Sequence, residues 1–334
     1  MRDIKKWIEE IIQSEERYAI PIMTHPGIEI IGSTVKEAVQ NGEIHARAIK
    51  ALSDRFPSKA STVIMDLTVE VEAFGCQIDF PDHEMPRIIG RLVDSEGVAA
   101  LQVPDLSAGR VPEFLKACRM AVEQITDKAV FAGVIGPFSM AGRLFDMSEI
   151  MVACYLEPDA IALLLEKCTQ FMTAYCEALK ATGCNGVVIA EPAAGLLSND
   201  DCMQFSSAYI KQVIDRIQDD SFMCVLHNCG NTGHCTDAML HTGAKAFHFG
   251  NAMTMTDALE RCPADVLVMG NIDPVRVFKM MNPQQIKEQV TTLLTQTADY
   301  PNFVLSSGCD VPPAVPFENI QAFYDALSDY NATK

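Results

Sequence analysis

The sequence has few basic residues and no long apolar run. Lysine and arginine total 26 against 44 aspartate and glutamate residues, which gives a formal net charge of −18 at pH 7. Nucleic-acid binding requires clustered lysine and arginine side chains that neutralise phosphates, and such clusters are absent. No stretch reaches the roughly 18 consecutive apolar residues that cross a bilayer. The composition therefore argues against nucleic-acid and membrane partners and favours small-molecule chemistry or a protein partner.

Two further absences concern targeting and domain organisation. Residues 1–8 begin an amphipathic helix without the apolar core of a secretory signal, which predicts a cytoplasmic location. No proline- or serine-rich linker divides the chain, and 334 residues with 49% hydrophobic content are enough for one large core. The twelve cysteines are scattered through the chain. In a reducing compartment we expect them to remain thiols, most of them as small core residues.

Eight short apolar or β-branched runs recur along the chain, and longer helical patterns separate nearly all of them. The runs are residues 19–24, 62–65, 129–135, 186–190, 222–226, 246–249, 266–269 and 303–305. This alternation predicts an α/β fold, a single (β/α)8 barrel domain over residues 1–334. Residues 1–18 are predicted to form an N-terminal helix, residues 19–330 the barrel, and residues 70–86 an excursion after the second strand.

Polar or glycine residues follow nearly every run, at the strand ends where barrel enzymes build their active sites. His227 and Cys229 follow the run 222–226, and Cys309 follows the run 303–305 after Gly308. One imidazole and two thiolates form a soft ligand set that holds zinc and leaves a fourth position for substrate. These three residues are therefore the candidate metal ligands.

An alternative metal site stays open at this stage. His234 and Cys235 lie just downstream of His227 and Cys229 and could complete a compact site with them. They fall at the start of the next predicted helix, where the direction of their side chains is not fixed by the pattern. The set that includes Cys309 is therefore preferred.

Other strand-end residues are candidates for catalysis and substrate binding. Glu191 either stabilises a loop or the next helix N-terminus, or acts beside the metal as a weak fourth ligand or a proton acceptor. Asp66 is a second catalytic candidate. The candidates for the substrate pocket are His25, Asn251, Asn271, Asp273 and His248. His248 lies inside an apolar strand, where a buried core histidine is the favoured interpretation.

Four stretches resemble the uroporphyrinogen decarboxylase superfamily, and within it they are most similar to the methylcobamide:coenzyme M methyltransferase branch. They are residues 66–76 (DLTVEVEAFGC), 136–142 (GPFSMAG), 270–274 (GNIDP) and 305–320, which contains LSSGCDVPP and PFENI. The resemblance extends from the first strand onward. It implies a TIM barrel that transfers a methyl group from a methylated corrinoid, presented by a separate corrinoid protein, to a small thiol such as coenzyme M. It also implies zinc on His227, Cys229 and Cys309.

Two other functions remain as alternatives. Uroporphyrinogen decarboxylases act without a metal and carry arginines after the first strand, whereas residues 23–27 here are MTHPG. Asp66 lies where decarboxylases have an essential aspartate, but methyltransferase-like sequences also tolerate one, so it does not distinguish the two activities. A non-catalytic barrel that binds a corrinoid or a thiol is the third interpretation. The acceptor thiol, the original methyl donor and the oligomeric state do not follow from the sequence.

Overall fold

Seven parallel strands form one curled sheet in the computed structural model, which describes residues 2–334. In chain order the strands are β1 (Ala60–Thr62), β2 (Gln77–Asp79), β3 (Arg87–Ile89), β4 (Ala129–Ile135), β5 (Gly186–Ala190), β6 (Met223–Asn228), β7 (Ala246–Phe249), β8 (Leu267–Ile272) and β9 (Phe303–Ser307). The sheet order is β1-β4-β5-β6-β7-β8-β9, and β2 and β3 form a separate antiparallel pair. The predicted α/β barrel is confirmed.

The first predicted strand, residues 19–24, is less regular than the sequence indicates. It forms a single parallel bridge, between Ala19 and Leu305 of β9, and the Ala19 carbonyl accepts a hydrogen bond from Lys59 N at 2.9 Å. The segment therefore lies between β9 and β1 and closes the barrel. Its ladder is short because Pro21 has no N–H to donate. Side-chain hydroxyls supply part of the missing pairing, since Ser306 Oγ donates to a carbonyl of this segment.

Helices cover the outside of the barrel and fill the predicted longer connections. They are α1 (Ile4–Gln13), α2 (His25–Ile30), α3 (Val35–Gln40), α4 (Gly42–Arg55), α5 (Val69–Phe74), α6 (Val111–Gln124), α7 (Pro137–Phe145), α8 (Met147–Leu156), α9 (Pro158–Ala181), α10 (Asn199–Cys202), α11 (Ala208–Ile217), α12 (Thr236–His241), α13 (Met255–Arg261), α14 (Pro283–Gln296) and α15 (Phe317–Asn331). A 3₁₀ helix (Pro192–Leu196) and a π-helical turn (Met203–Ser207) complete the set. Within residues 2–334, no helix combines the length and the apolarity needed to cross a bilayer.

Helix α1 closes the amino end of the barrel. Its first turn is capped by Asp3, whose carboxylate accepts a hydrogen bond from Lys6 N. Its apolar face packs into the barrel interior, and the ring of Trp7 lies 5.9 Å from that of Phe131 in β4. A buried apolar plug at this end leaves the opposite, carboxyl end of the strands for a functional site.

Candidate active site

The three predicted metal ligands meet at the carboxyl end of the barrel. His227 lies in β6, Cys229 follows that strand, and Cys309 follows β9. One ligand atom from each residue lies within 4.8 Å of the others. His227 is buried and both cysteines are half-buried, so the cluster is open on one side. The curvature of the barrel brings the three side chains together although two strands separate β6 from β9.

The two thiols of this cluster contact each other, and the contact shifts their pKa values in opposite directions. The hydrogen bond from Cys309 lowers the pKa of Cys229 to about 7. The same contact, together with burial, raises the pKa of Cys309. One thiolate thus forms close to neutral pH, and a divalent cation would neutralise both. A His–Cys–Cys donor set of this kind fits zinc, with one coordination position left open.

Glycine at position 308 is required for Cys309 to reach the cluster. A Cβ atom added to Gly308 would lie 2.7 Å from the backbone nitrogen of Asn251, closer than carbon atoms of real side chains approach. The next residue, Asp310, fixes the same loop, because its carboxylate accepts hydrogen bonds from Thr24 N at 3.0 Å and Thr24 Oγ1 at 2.6 Å. The close approach of Gly308 to Asn251 and the hydrogen bonds of Asp310 to Thr24 hold the loop that carries Cys309 against the rim of the barrel.

Behind His227, a line of hydrogen bonds crosses the barrel interior. His227 Nδ1 lies 2.8 Å from Nδ1 of His248 and 3.3 Å from the His248 carbonyl oxygen. His248 Nε2 lies 2.8 Å from Ser306 Oγ, which donates to the carbonyl of Ile20 at 2.8 Å. His248 is completely buried in β7, and both its ring nitrogens contact protein atoms. This placement favours a buried supporting histidine over direct contact with a substrate.

Glu191 follows β5 and points at the start of α7. Its carboxylate accepts hydrogen bonds from Ser139 N at 2.5 Å and Phe138 N at 3.2 Å. Burial raises the pKa of Glu191 to about 7, although these hydrogen bonds oppose the shift. Gly136 makes the approach feasible, because a Cβ there would lie 2.1 Å from Glu191 Oε2. The carboxylate thus stabilises the N-terminus of α7, and it lies outside the group formed by His227 and the two cysteines.

Asp66 is held in a buried ion-pair network. Its Oδ1 accepts hydrogen bonds from the backbone nitrogen and the hydroxyl of Thr68, and its Oδ2 pairs with Arg110. Arg110 also pairs with Glu72 and lies over the ring of Phe80, 4.7 Å from its centroid. Both oxygens of Asp66 are therefore engaged by the protein. Sequence reasoning missed Arg110, which is 44 residues away from Asp66 and has no motif around it.

A second buried carboxylate, that of Glu70, lies near this network. Its Oε1 accepts a hydrogen bond from Ile135 N at 3.0 Å, while its Oε2 has no partner among residues 2–334. Burial raises the pKa of Glu70 from 4.5 to about 7. Because the folded-state pKa exceeds the unfolded value, the stability associated with this group is present at low pH and is lost as pH rises from about 4.5 towards 7.

Replacing Glu70 by glutamine is expected to remove this pH dependence, since an amide does not titrate. Between pH 5 and pH 8 the wild-type free energy of unfolding should fall relative to that of Glu70→Gln by about 2–3 kcal/mol. Urea unfolding at the two pH values measures the difference. Glu288→Gln, on the exposed face of α14, is the matched control and should track the wild type. Parallel behaviour of both variants with the wild type would refute the assignment to Glu70.

Three further pocket candidates lie at the carboxyl ends of β7 and β8. Asn251 Nδ2 donates to Asp273 Oδ2 at 2.9 Å, which links the loops after β7 and β8. Asn271 Nδ2 donates to the carbonyls of Gly250 and Met253, so its amide supports the loop after β7. These side chains shape the rim of the barrel mainly through contacts within the protein.

His25, the first residue of α2, occupies a different position. It is buried, its Nε2 lies 3.8 Å from Asp310 Oδ2, and its Nδ1 has no partner within the described chain.

The alternative metal pair, His234 and Cys235, is engaged elsewhere. His234 Nε2 and Cys235 Sγ both contact the carbonyl of Leu197, at 3.1 and 3.3 Å. The cluster at the barrel rim contains Cys309 in place of this pair.

The fold and its rim define a (β/α)8 barrel with a His–Cys–Cys cluster at the carboxyl end of its strands. The chain belongs to the uroporphyrinogen decarboxylase (URO-D) family, whose model matches residues 17–330. The resemblance inferred from the sequence motifs is thereby confirmed. A methylcobamide:CoM methyltransferase MtbA from Methanosarcina acetivorans is 28% identical over 320 residues, which cover 91% of this chain and 89% of that protein.

Relatives of both activities share this similarity. A uroporphyrinogen decarboxylase from Alcanivorax borkumensis is 26% identical over 285 residues, covering 82% of this chain and 80% of that enzyme. Among solved structures, a methyltransferase from Methanosarcina mazei superposes with a TM-score of 0.87 at 22% identity, and the match covers 99% of both chains. This likeness confirms the fold over nearly the whole chain.

Proposed function

We propose that this protein is a zinc-dependent methyltransferase that moves a methyl group from a methylated corrinoid to a small thiol such as coenzyme M. The observation that carries the proposal is the convergence of His227, Cys229 and Cys309 within 4.8 Å. Three protein ligands with an open position are typical of catalytic zinc, whereas structural sites have four. A metal-free decarboxylation has no use for such a cluster at the barrel rim.

Similarity to methylcobamide:CoM methyltransferases supports the proposed identities of the methyl donor and the methyl acceptor. The match extends over 91% of this chain and 89% of the relative from Methanosarcina acetivorans. The donor proposed here is accordingly a methylcobamide, carried by a separate corrinoid protein. The acceptor is a small thiol that enters at the open side of the cluster.

The proposed reaction needs a deprotonated thiol and no other activated group. Zinc held by His227, Cys229 and Cys309 would act as a Lewis acid that lowers the pKa of the substrate thiol. The substrate sulfur then attacks the methyl carbon, a sulfur–carbon bond forms, and the cobalt–carbon bond breaks with its electron pair left on cobalt. The products are a methyl thioether and a reduced corrinoid.

Glu191 is the proposed acceptor of the thiol proton. With a pKa of about 7, its carboxyl group exchanges a proton close to neutral pH. Its backbone nitrogen donates to the His227 carbonyl at 2.8 Å, which keeps it beside β6, the strand that holds His227 and precedes Cys229. Asp66 is assigned a different role, since it forms a buried ion pair with Arg110, whereas Glu191 accepts hydrogen bonds from backbone N–H groups. We propose that it acts indirectly, by holding the loop after β1 in place.

Removal of zinc with a chelator is expected to abolish thiol-dependent demethylation of methylcobalamin and to leave the far-ultraviolet circular dichroism spectrum unchanged. The fold should persist because two large apolar clusters, inside and outside the strands, hold the barrel without the metal. Addition of zinc should restore the activity. Global unfolding on chelation would instead make the metal structural, and activity that survives complete zinc removal would refute a catalytic role for it.

A further inference from the structure

We propose that His248 and Ser306 fix the proton of His227 on its Nδ1, so that the Nε2 lone pair faces the two cysteines. This inference rests on the proposed function, because it assigns the purpose of the fixed proton to metal binding. The two residues are positioning residues. Both are completely buried, in β7 and β9, and neither is one of the three clustered ligands.

The direction of the hydrogen bonds follows from Ser306. Its hydroxyl has one proton, and its Oγ lies 2.8 Å from the carbonyl oxygen of Ile20, which can only accept. The proton therefore points at Ile20. Ser306 Oγ must then accept from its other neighbour, His248 Nε2, at 2.8 Å. His248 consequently has its proton on Nε2.

The same reasoning assigns the position of the proton on His227. A neutral imidazole that is protonated on Nε2 has an acceptor at Nδ1. Only a neutral His248 fits these contacts, because a proton on both of its ring nitrogens would leave either two N–H groups facing each other at 2.8 Å or His227 Nδ1 unprotonated against the His248 carbonyl, which only accepts. Its Nδ1 lies 2.8 Å from His227 Nδ1, which therefore donates. The His248 carbonyl, which can also only accept, lies farther away, at 3.3 Å from the same nitrogen, and favours the same tautomer without fixing it.

The consequence for His227 is that Nε2 is the unprotonated nitrogen of its neutral ring. Zinc binds the unprotonated nitrogen of a neutral imidazole, and the outer-shell partner of the other nitrogen sets which tautomer is present. The four groups lie on β6, β7, β9 and the segment that closes the barrel. The orientation of the histidine ligand is thus tied to barrel closure, through the Ile20 carbonyl.

Two neighbouring serines provide a matched test. Ser306 and Ser307 are both completely buried, and each donates its hydroxyl proton to a carbonyl of the closing segment, Ile20 at 2.8 Å and Ile22 at 3.1 Å. Of the two hydroxyls, that of Ser306 lies 2.8 Å from His248 Nε2, and that of Ser307 makes no hydrogen bond to the histidine. Zinc affinity, measured by competition with a chromogenic chelator, should fall about tenfold or more in Ser306→Ala and stay within about twofold of wild type in Ser307→Ala.

Histidine ring ¹⁵N signals of the metal-free protein give a second readout that does not involve zinc. In the wild type and in Ser307→Ala, His227 should be the Nδ1-protonated tautomer alone, while Ser306→Ala should show a mixture. If Ser306→Ala fails to fold, His248→Asn and His248→Leu replace it, because asparagine retains an acceptor oxygen and leucine of similar size does not. We expect the leucine variant to bind zinc about tenfold more weakly than the asparagine variant.

The outcomes separate this inference from the proposed function. The wild-type protein could show the Nδ1-protonated tautomer of His227 and yet bind no zinc. That result would contradict the proposed function and leave the hydrogen-bond assignment unchanged. Equal zinc affinity and an unchanged tautomer in Ser306→Ala and Ser307→Ala would overturn the inference. Equal zinc affinity in the two His248 variants would do the same.

Discussion

Cys309→Ala is expected to lose the metal and the activity together. Purified wild-type protein should contain about one zinc per chain, because residues 2–334 contain one three-ligand set, at the barrel rim. Loss of one thiolate should weaken zinc binding by more than about a hundredfold, since removal of outer-shell partners alone costs 10–100-fold. Elemental analysis and thiol-dependent demethylation of methylcobalamin measure the two effects.

Cys235→Ala is the matched control for this prediction. Cys235 belongs to the alternative pair with His234, and its thiol is engaged by the Leu197 carbonyl. The control should retain zinc and activity. Full zinc retention in Cys309→Ala together with loss in Cys235→Ala would move the metal to the alternative pair and contradict the present assignment.

Arg110→Met is expected to be the most destabilising single substitution of those considered. The methionine keeps much of the aliphatic volume beneath Phe80 but leaves the carboxylates of Asp66 and Glu72 without their partner. Breaking a buried ion pair on one side costs about 3–5 kcal/mol, because an unpaired charge remains in the interior. Urea unfolding at neutral pH measures the loss in the free energy of unfolding.

An exposed arginine provides the comparison. Arg87 pairs with Asp79 at 3.3 Å, and its side chain is 62% exposed. Arg87→Met should change the free energy of unfolding by no more than about 1 kcal/mol, since water screens surface pairs. Equal effects of the two substitutions would show that the Asp66–Arg110 network does not stabilise the fold.

The sequence predicts the barrel well where strands are buried on both faces. β4, β5 and β7 have the predicted bounds, because continuous apolar runs between turn residues leave little freedom of assignment. The segment 19–24 has equally strong apolar character but pairs only at Ala19, since Pro21 interrupts its ladder. The β2–β3 hairpin, whose first strand lies within the predicted excursion 70–86 and whose second strand follows it, was not predicted, because its residues are only half-buried or exposed.

The candidate ligands could be predicted because each lies one to four residues after the end of an apolar run, and parallel strands bring such residues to the same rim. The residues that position these ligands could not be predicted. The partners of His227 are separated from it by 21 residues, and Ser306 by a further 58 from His248. Contacts over such distances depend on how the barrel closes, and neither a serine at a strand end nor a histidine in an apolar strand has a local pattern that reveals them.

The central claim, thiol-dependent methyl transfer, is tested most directly by incubating the zinc-loaded protein with methylcobalamin and a panel of small thiols, and in parallel with uroporphyrinogen. The visible spectrum of the corrinoid reports loss of the methyl group, and mass spectrometry reports the thioether. We expect demethylation that requires both protein and thiol, with coenzyme M among the acceptors, and no decarboxylation of uroporphyrinogen. Decarboxylation of uroporphyrinogen without any thiol-dependent demethylation would contradict the account.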